Sequence, residues 1–286
     1  MSTSSSDLKK FLDAKKTETR LIGPIERHLL ARPEQERSYL HIHPSDMVKS
    51  DWCHREACHL LLGRPKRRER PNLRLQSIFD EGHTIHAKWQ NWIAEMGSLY
   101  GRWEASDGTN LGMLRSNVAP NGAVYKEVPL RNEALMIKGH SDGWVKGIGD
   151  DFLIEIKSIG SGTIRMESPD LLYQADGDLS KAFRSIRRPF RTHALQGRVY
   201  LELIERQAKD EGWTDYPKEI VFIYELKMDQ DYKEFVTKAD YESVAHLFDA
   251  ADDIVRAVKA GEVLPCNINR KSGFCKACAP YEEVAA

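Results

Sequence analysis

The chain has 286 residues, 41% of them hydrophobic, which suffices for a folded core in one large domain or two small ones. Its 42 basic residues nearly balance 43 acidic ones, so the net charge of −1 says nothing by itself about a polyanionic partner and leaves only local charge informative. No stretch approaches the roughly 18 apolar residues of a membrane span, and the opening MSTSSSDLKKFLDAKK lacks the apolar centre of a signal peptide, so a cytoplasmic protein is expected.

Residues 7–32 carry helical apolar spacing that ends before Pro33, and residues 1–49 are read as an N-terminal helical segment. SDWCHREACHLLLG (50–63) predicts a short helix capped by Ser50 or Asp51, with Cys53 in its first turn and Gly63 at its end. The basic connector RPKRRERPNLR leads into a long amphipathic helix over 77–96 that carries Gly82, His83 and His86. Residues 97–123, rich in Gly, Asn and Ser, suggest an irregular or hairpin insertion. From 124 to 159 the pattern turns to strands, KEVPL, LMIKGHSDGWV and, after a GIGDD turn, FLIEIKSI, expected at the centre of a sheet. Helical stretches over 170–187 and 190–209 flank the basic segment RSIRRPFR; EIVFIYELKM is a buried strand, KEFVT a short one, and 239–260 a helix. The order predicts an α/β fold: a mixed central sheet flanked by helices, with a helical and cysteine-bearing periphery.

A turn centred between Ile148 and Gly149 sets Asp142 opposite Glu155 and His140 opposite Lys157. Glu155 and Lys157 then share a strand face with Leu153, while Phe152, Ile154 and Ile156 point to the other side, expected to be the core. Carboxylates opposed at about 5 Å repel unless a cation lies between them, and such oxygen ligands suit Mg²⁺ or Mn²⁺. A one-residue change of register would separate the acids.

Five cysteines make an odd count, and three lie in the last 21 residues, unlike a disulfide framework. Cys275 and Cys278 form CxxC, with Cys266 nine positions before Cys275 and Cys53 far upstream. Four thiolates satisfy a structural Zn²⁺ or a [4Fe-4S] cluster equally well. Cys58 lies among apolar residues as a buried thiol and is the alternative to Cys53. Two basic runs, Arg64, Lys66, Arg67, Arg68, Arg70 and Arg74, then Lys181, Arg184, Arg187, Arg188 and Arg191, are candidates for phosphate contact or simply solvated surface. Trp89, Trp92, Trp103 and Tyr100 are candidates for base stacking or for core.

GHSDGW followed by EIK resembles the D…ExK core of the PD-(D/E)xK nuclease superfamily, although no proline stands before Asp142, a position that varies in that pattern. Gly82 and His86 are similar to the G-x-x-x-H helix of its RecB-like branch, and Gln196 and Tyr200 to the Q-x-x-x-Y helix, one face at i, i+4. The split cysteine set, with Cys53-x-Arg55, resembles the iron-sulfur RecB-like exonucleases typified by the fourth CRISPR-associated protein. The resemblance implies a restriction-endonuclease-like core over 50–286 and a DNA exonuclease that prefers single strands and commonly starts at the 5′ end. It also implies a Mg²⁺ or Mn²⁺ ion on His86, Asp142, Glu155 and the Ile156 carbonyl, assisted by Lys157 and linked to Gln196 and Tyr200. A [4Fe-4S] cluster on Cys53, Cys266, Cys275 and Cys278 completes that set. A structure-specific endonuclease on the same fold, or a non-catalytic zinc-stabilised DNA-binding adaptor, are the alternatives. No P-loop occurs, so a helicase or recombination partner would be a separate chain.

Overall fold

A computed structural model describes residues 20–32, 39–64, 71–268 and 275–281. The helical spacing over 7–19 and the basic residues Lys66, Arg67, Arg68 and Arg70 lie outside them. Of the described residues, 20–32 and 71–80 belong to one compact unit, and 39–64, 81–268 and 275–281 to a second. The first holds helix α1 (Ile22–Ala31), which buries no residue, and the opening of the long α4.

The second unit begins with α2 (Pro44–Met47) and α3 (His54–Leu61), whose N-cap is Cys53 rather than Ser50 or Asp51. The Cys53 sulfur accepts the Glu56 N–H at 3.4 Å, which satisfies an orphan donor of the first turn. Helix α4 (Leu73–Glu95) starts four residues earlier than its apolar spacing indicates, because Asn72 caps it through the Leu75 N–H at 2.9 Å. Next come β1 (Leu99–Glu104) and β2 (Asn110–Arg115), a hairpin that is part of the main sheet, followed by β3 (Val124–Tyr125).

Strands β4 (Val128–Asn132) and β5 (Ile137–Ser141) form a separate two-stranded sheet, so the run read as one strand over 135–145 is two. The chain changes partners at Asp142, and β6 (Gly143–Val145) rejoins the main sheet between β1 and β7 (Phe152–Ile159). Helices α5 (Ser161–Glu167), α6 (Pro169–Gln174), α7 (Leu179–Ser185) and α8 (Arg191–Glu211) follow, then β8 (Glu219–Leu226), β9 (Tyr232–Lys238) and α9 (Glu242–Lys259). The first of these four helices was not evident in the apolar spacing.

Among the described residues the main sheet has seven strands in the order β2-β1-β6-β7-β8-β9, with β3 beside β1. β7 and β8 are parallel and the other pairs antiparallel. The fold is α/β, a mixed sheet flanked by helices. Both faces of the central strands are covered. Leu153, Ile159, Ile220, Phe222, Tyr224 and Leu226 pack with α8 and α9, while Ile154, Ile156, Val221 and Ile223 pack with Ile85 of α4, Leu99 and Trp103. The face shared by Leu153 and Glu155 is therefore core as well, because helices cover it; this is why β7 and β8 read as continuous apolar runs. Among the described residues no helix is long and apolar enough to cross a membrane.

Candidate active site

The β6–β7 pairing matches Gly143 with Ile154, Trp144 with Leu153 and Val145 with Phe152. One further step brings Asp142 level with Glu155. His140, by contrast, sits opposite Pro129 of β4 and not opposite Lys157, because the strand has left the main sheet by then. Asp142 stands at that parting. Its Oδ2 accepts the backbone N–H of Ile156 at 2.5 Å, and Ser141 Oγ donates to the Ile154 carbonyl at 2.8 Å. The β7 backbone thus meets side chains where a neighbouring strand would otherwise continue.

Helix α4 approaches from one face. Ile85, Trp89 and Ile93 turn an i, i+4 stripe to the sheet, which leaves His86 and Gln90 on the flank facing Asp142. His86 Nδ1 lies 3.1 Å from Asp142 Oδ1, and Gln90 Nε2 donates to the Asp142 carbonyl at 2.9 Å. Burial lowers the His86 pKa, but the hydrogen bond and charge of Asp142 outweigh burial and leave it raised. Lys88 Nζ and Trp89 Nε1 both donate to the buried Glu225 of β8, each at 2.6 Å, which fastens the same turn to the sheet. Gly82 lets the helix approach Ser158: a Cβ there would meet its Oγ at 3.3 Å. His83 is exposed.

Helix α8 approaches from the other face. A Cβ on Gly197 would meet Phe222 at 2.6 Å and Ile220 at 2.9 Å, so only glycine allows the helix this close to β8. That approach brings in Gln196 and Tyr200, both buried. Gln196 Oε1 accepts from Lys157 Nζ at 3.1 Å, and its Nε2 donates to Glu155 Oε1 at 3.3 Å and to the Tyr200 hydroxyl at 2.7 Å. Lys157 Nζ also donates to Glu155 Oε1 at 2.7 Å. His193, one turn before Gln196, has its pKa pushed down to about 3 by burial and by the Lys157 charge, and shares a short contact with the Tyr224 hydroxyl.

Glu155 is 4% exposed, and its Oε2 is buried without a hydrogen-bond partner. Burial pushes its pKa up to about 7; the Lys157 charge works against this and the Asp142 charge with it. An uncompensated buried carboxylate oxygen beside a second carboxylate fits a hard divalent cation with oxygen ligands. His86 adds a nitrogen donor. Glu127, just before β4, has its pKa pushed up to about 7 by burial and then by the Asp142 charge. Pattern reading passed over it; pairing KEVPL against IKGHS would have put it beside Asp142. Gln90 and Glu225 were passed over too, since nothing local marks their partners.

The second cluster lies at the start of α3. The sulfur atoms of Cys53, Cys266, Cys275 and Cys278 all lie within 4.8 Å of one another, a group able to hold a metal ion or an iron-sulfur cluster. Cys58 is wholly buried in the main core and is not in this group. Burial raises the Cys53 thiol and pushes Cys278 up to about 11. At Cys266 burial also acts upward, but hydrogen bonds with the Ile268 and Cys275 backbone and with the neighbouring thiols prevail, and its pKa falls to about 7. Asn267 ties the two segments: its Nδ2 donates to the Trp52 carbonyl at 3.0 Å and its Oδ1 accepts the His54 N–H at 2.8 Å.

Lys181, Arg184, Arg187, Arg188 and Arg191 are all exposed along α7 and the lead into α8. Of the candidate stacking aromatics, Trp103 is core, and Tyr100 packs edge-on against Trp144. Trp89 is held by Glu225, and Trp92 is exposed.

No protein-family model matches the chain, and no curated protein matches its sequence. Among solved structures, an alkaline exonuclease (LHK-Exo) from Laribacter hongkongensis is similar, with 11% identity and a TM-score of 0.44 over 78% of this chain and 90% of that one. Its complex with dAMP shows 14% identity and a TM-score of 0.42 over the same shares. SSO0001 shows 15% identity and a TM-score of 0.35 over 90% of this chain and 95% of that one.

Proposed function

We propose that the chain is a metal-dependent DNA nuclease that hydrolyses phosphodiester bonds at the site around Asp142, Glu155 and Lys157. Within that reading it is an exonuclease that prefers single strands and starts from the 5′ end, its nuclease domain spanning 50–286. One observation carries the reading. Glu155, almost fully buried and with Oε2 unpartnered, lies level with Asp142 and bonded to Lys157, an arrangement that costs stability and suits cation-assisted hydrolysis.

His86, Asp142, Glu155 and the Ile156 carbonyl would hold the cation. A Mg²⁺ or Mn²⁺ ion bound there supplies activation of water and neutralises charge on the phosphodiester. Asp142 is oriented for that role by Ile156, His86 and Gln90. Lys157 keeps its ammonium between Glu155 and Gln196, positioned to orient the attacking water or offset charge building on the phosphoryl oxygens. Gln196 and Tyr200 position both. The exposed basic residues from Lys181 to Arg191 suit contacts with backbone phosphates, which carry no sequence information. On the four cysteines this reading puts a [4Fe-4S] cluster, with Zn²⁺ as the alternative, joining the start of α3 to the C-terminal segment.

The test is digestion of end-labelled linear single-stranded, duplex and closed circular single-stranded DNA with Mg²⁺ or Mn²⁺. Wild type should degrade the linear single strand and spare the circle, and Asp142→Asn and Glu155→Gln should be inactive. Undiminished cleavage by either variant would overturn the site, and digestion of the circle would replace exonuclease with endonuclease.

A further inference from the structure

Glu127 sits between β3 and β4 with φ of +64°, a backbone conformation that residues bearing a Cβ seldom adopt and that concentrates at functional sites. It is fixed from both sides: Arg102 N–H donates to the Glu127 carbonyl at 2.9 Å, and Lys126 N–H to the Arg102 carbonyl at 2.8 Å. In the β4–β5 sheet Val128 pairs with Ser141, so one further step brings Glu127 level with Asp142. Asp142 is itself level with Glu155 by the β6–β7 register. By register, then, Glu127 comes level with Asp142 across the β4–β5 pair, where its carbonyl is bonded to Arg102 of β1, and Glu155 comes level with it across the β6–β7 pair.

The basic groups around Glu127 are engaged elsewhere, His86 with Asp142 at 3.1 Å and two others with Glu104. Lys126 Nζ lies 3.2 Å and Arg102 Nη2 3.7 Å from the carboxylate of Glu104. Glu127 makes no ion pair and accepts no side-chain hydrogen bond among the described residues, and Glu155 Oε2, nine-tenths buried and more, also has no partner. Asp142 directs its own oxygens to His86 and Ile156. The free Glu127 carboxylate and the half-partnered Glu155, whose Oε1 alone is bonded to Lys157 and Gln196, flank a third carboxylate, and such groups repel unless a cation draws them together.

We propose that Glu127 is a further carboxylate ligand of the divalent-cation site, joining Asp142 from across the β4–β5 pair. This rests on the reading of that site as a cation centre. It distinguishes Glu127 from a residue kept for the fold, because the two roles predict opposite signs. A carboxylate held for a cation strains and repels in the metal-free chain and stabilises only the loaded one, whereas a structural carboxylate stabilises both.

The experiment is titration of the full chain, its cysteine cluster intact, with Mn²⁺ alone at pH 8, followed by calorimetry and by the electron paramagnetic resonance of free Mn²⁺, together with thermal melts. Glu127→Gln should raise the Mn²⁺ Kd at least tenfold, melt higher than wild type without metal, and gain less Tm from added Mn²⁺. Should that variant not fold, Glu127→Asn, which tolerates positive φ, takes its place under the same criteria. An Mn²⁺ Kd within twofold of wild type, or a metal-free variant that melts lower than wild type, would overturn the proposal. Wild type that binds no Mn²⁺ at all would instead remove the cation centre, and Glu127's role with it.

Discussion

Gln196 grips both Lys157 and Glu155, accepting from the lysine ammonium through Oε1 at 3.1 Å and donating to the carboxylate through Nε2 at 3.3 Å. The amide must hold this orientation, because an ammonium only donates and an ionised carboxylate only accepts; its other N–H goes to the Tyr200 hydroxyl at 2.7 Å. A side chain on α8 thereby sets the geometry of two groups on β7.

Gln196→Leu should lower kcat by roughly 10- to 100-fold with KM changed little, since a misplaced catalytic group of this kind costs on that order. It leaves a buried carboxylate and an ammonium short of a partner, with about 1–3 kcal/mol of stability lost. Tyr200→Phe, which removes one acceptor, should cost about 1 kcal/mol and a few-fold in kcat. Steady-state kinetics and urea denaturation measure both; a KM effect alone would assign Gln196 to DNA binding.

Glu225 takes Lys88 and Trp89 at 2.6 Å each on the turn of α4 that presents His86 and Gln90 to Asp142. Glu225→Ala strands both donors. Because Lys88 is partly exposed, the cost should be nearer about 2 kcal/mol than the 3–5 typical of a fully buried pair. Mn²⁺ affinity should fall with it, as His86 loses its support. A destabilised variant with unchanged Mn²⁺ affinity would separate the anchor from the site.

Glu127 and Glu155 both carry folded-state pKa values raised from 4.5 to about 7, each by burial first. Each group therefore holds its proton more tightly when folded, and this contribution to stability is complete below pH 4.5 and lost as pH rises through about 7. Without divalent metal, Tm should fall between pH 5.5 and 8. Glu155→Gln should flatten that fall, and saturating Mn²⁺ should offset it at the upper end. A Tm that climbs steadily over this range without metal would contradict the picture of a buried and a half-buried carboxylate opposed across Asp142.

Cys53→Ser and Cys278→Ser should each abolish the cluster, while Cys58→Ser should retain it and cost about 1–2 kcal/mol as a polar change in the core. Cluster content is read as brown colour with absorbance near ~400 nm for iron-sulfur. Colourless protein with stoichiometric zinc would reassign the metal. Loss of the chromophore in the Cys58 variant alone would reassign the ligand.

Much of the site was legible because it depends on short-range periodicity. The period of two and a turn centred between Ile148 and Gly149 place Asp142 level with Glu155, and the i, i+4 repeat puts Gln196 and Tyr200 on one helix face. The CxxC pair advertises itself by spacing. What the linear pattern does not contain is the choice of partner. Residues 135–145 alternate as one strand would, yet β5 pairs with β4 and β6 with β7, so His140 leaves Lys157 and Glu127 arrives at Asp142. That choice is made by which strand edges and helix faces together bury the most apolar surface, a property of the assembled layers. The same holds for Glu225 with Lys88 and Trp89, and for Asn267 with Trp52 and His54: their partners lie 136 or more positions away. Local spacing thus identifies the acids, the lysine and the thiols. Only the packed layers decide which other groups face them.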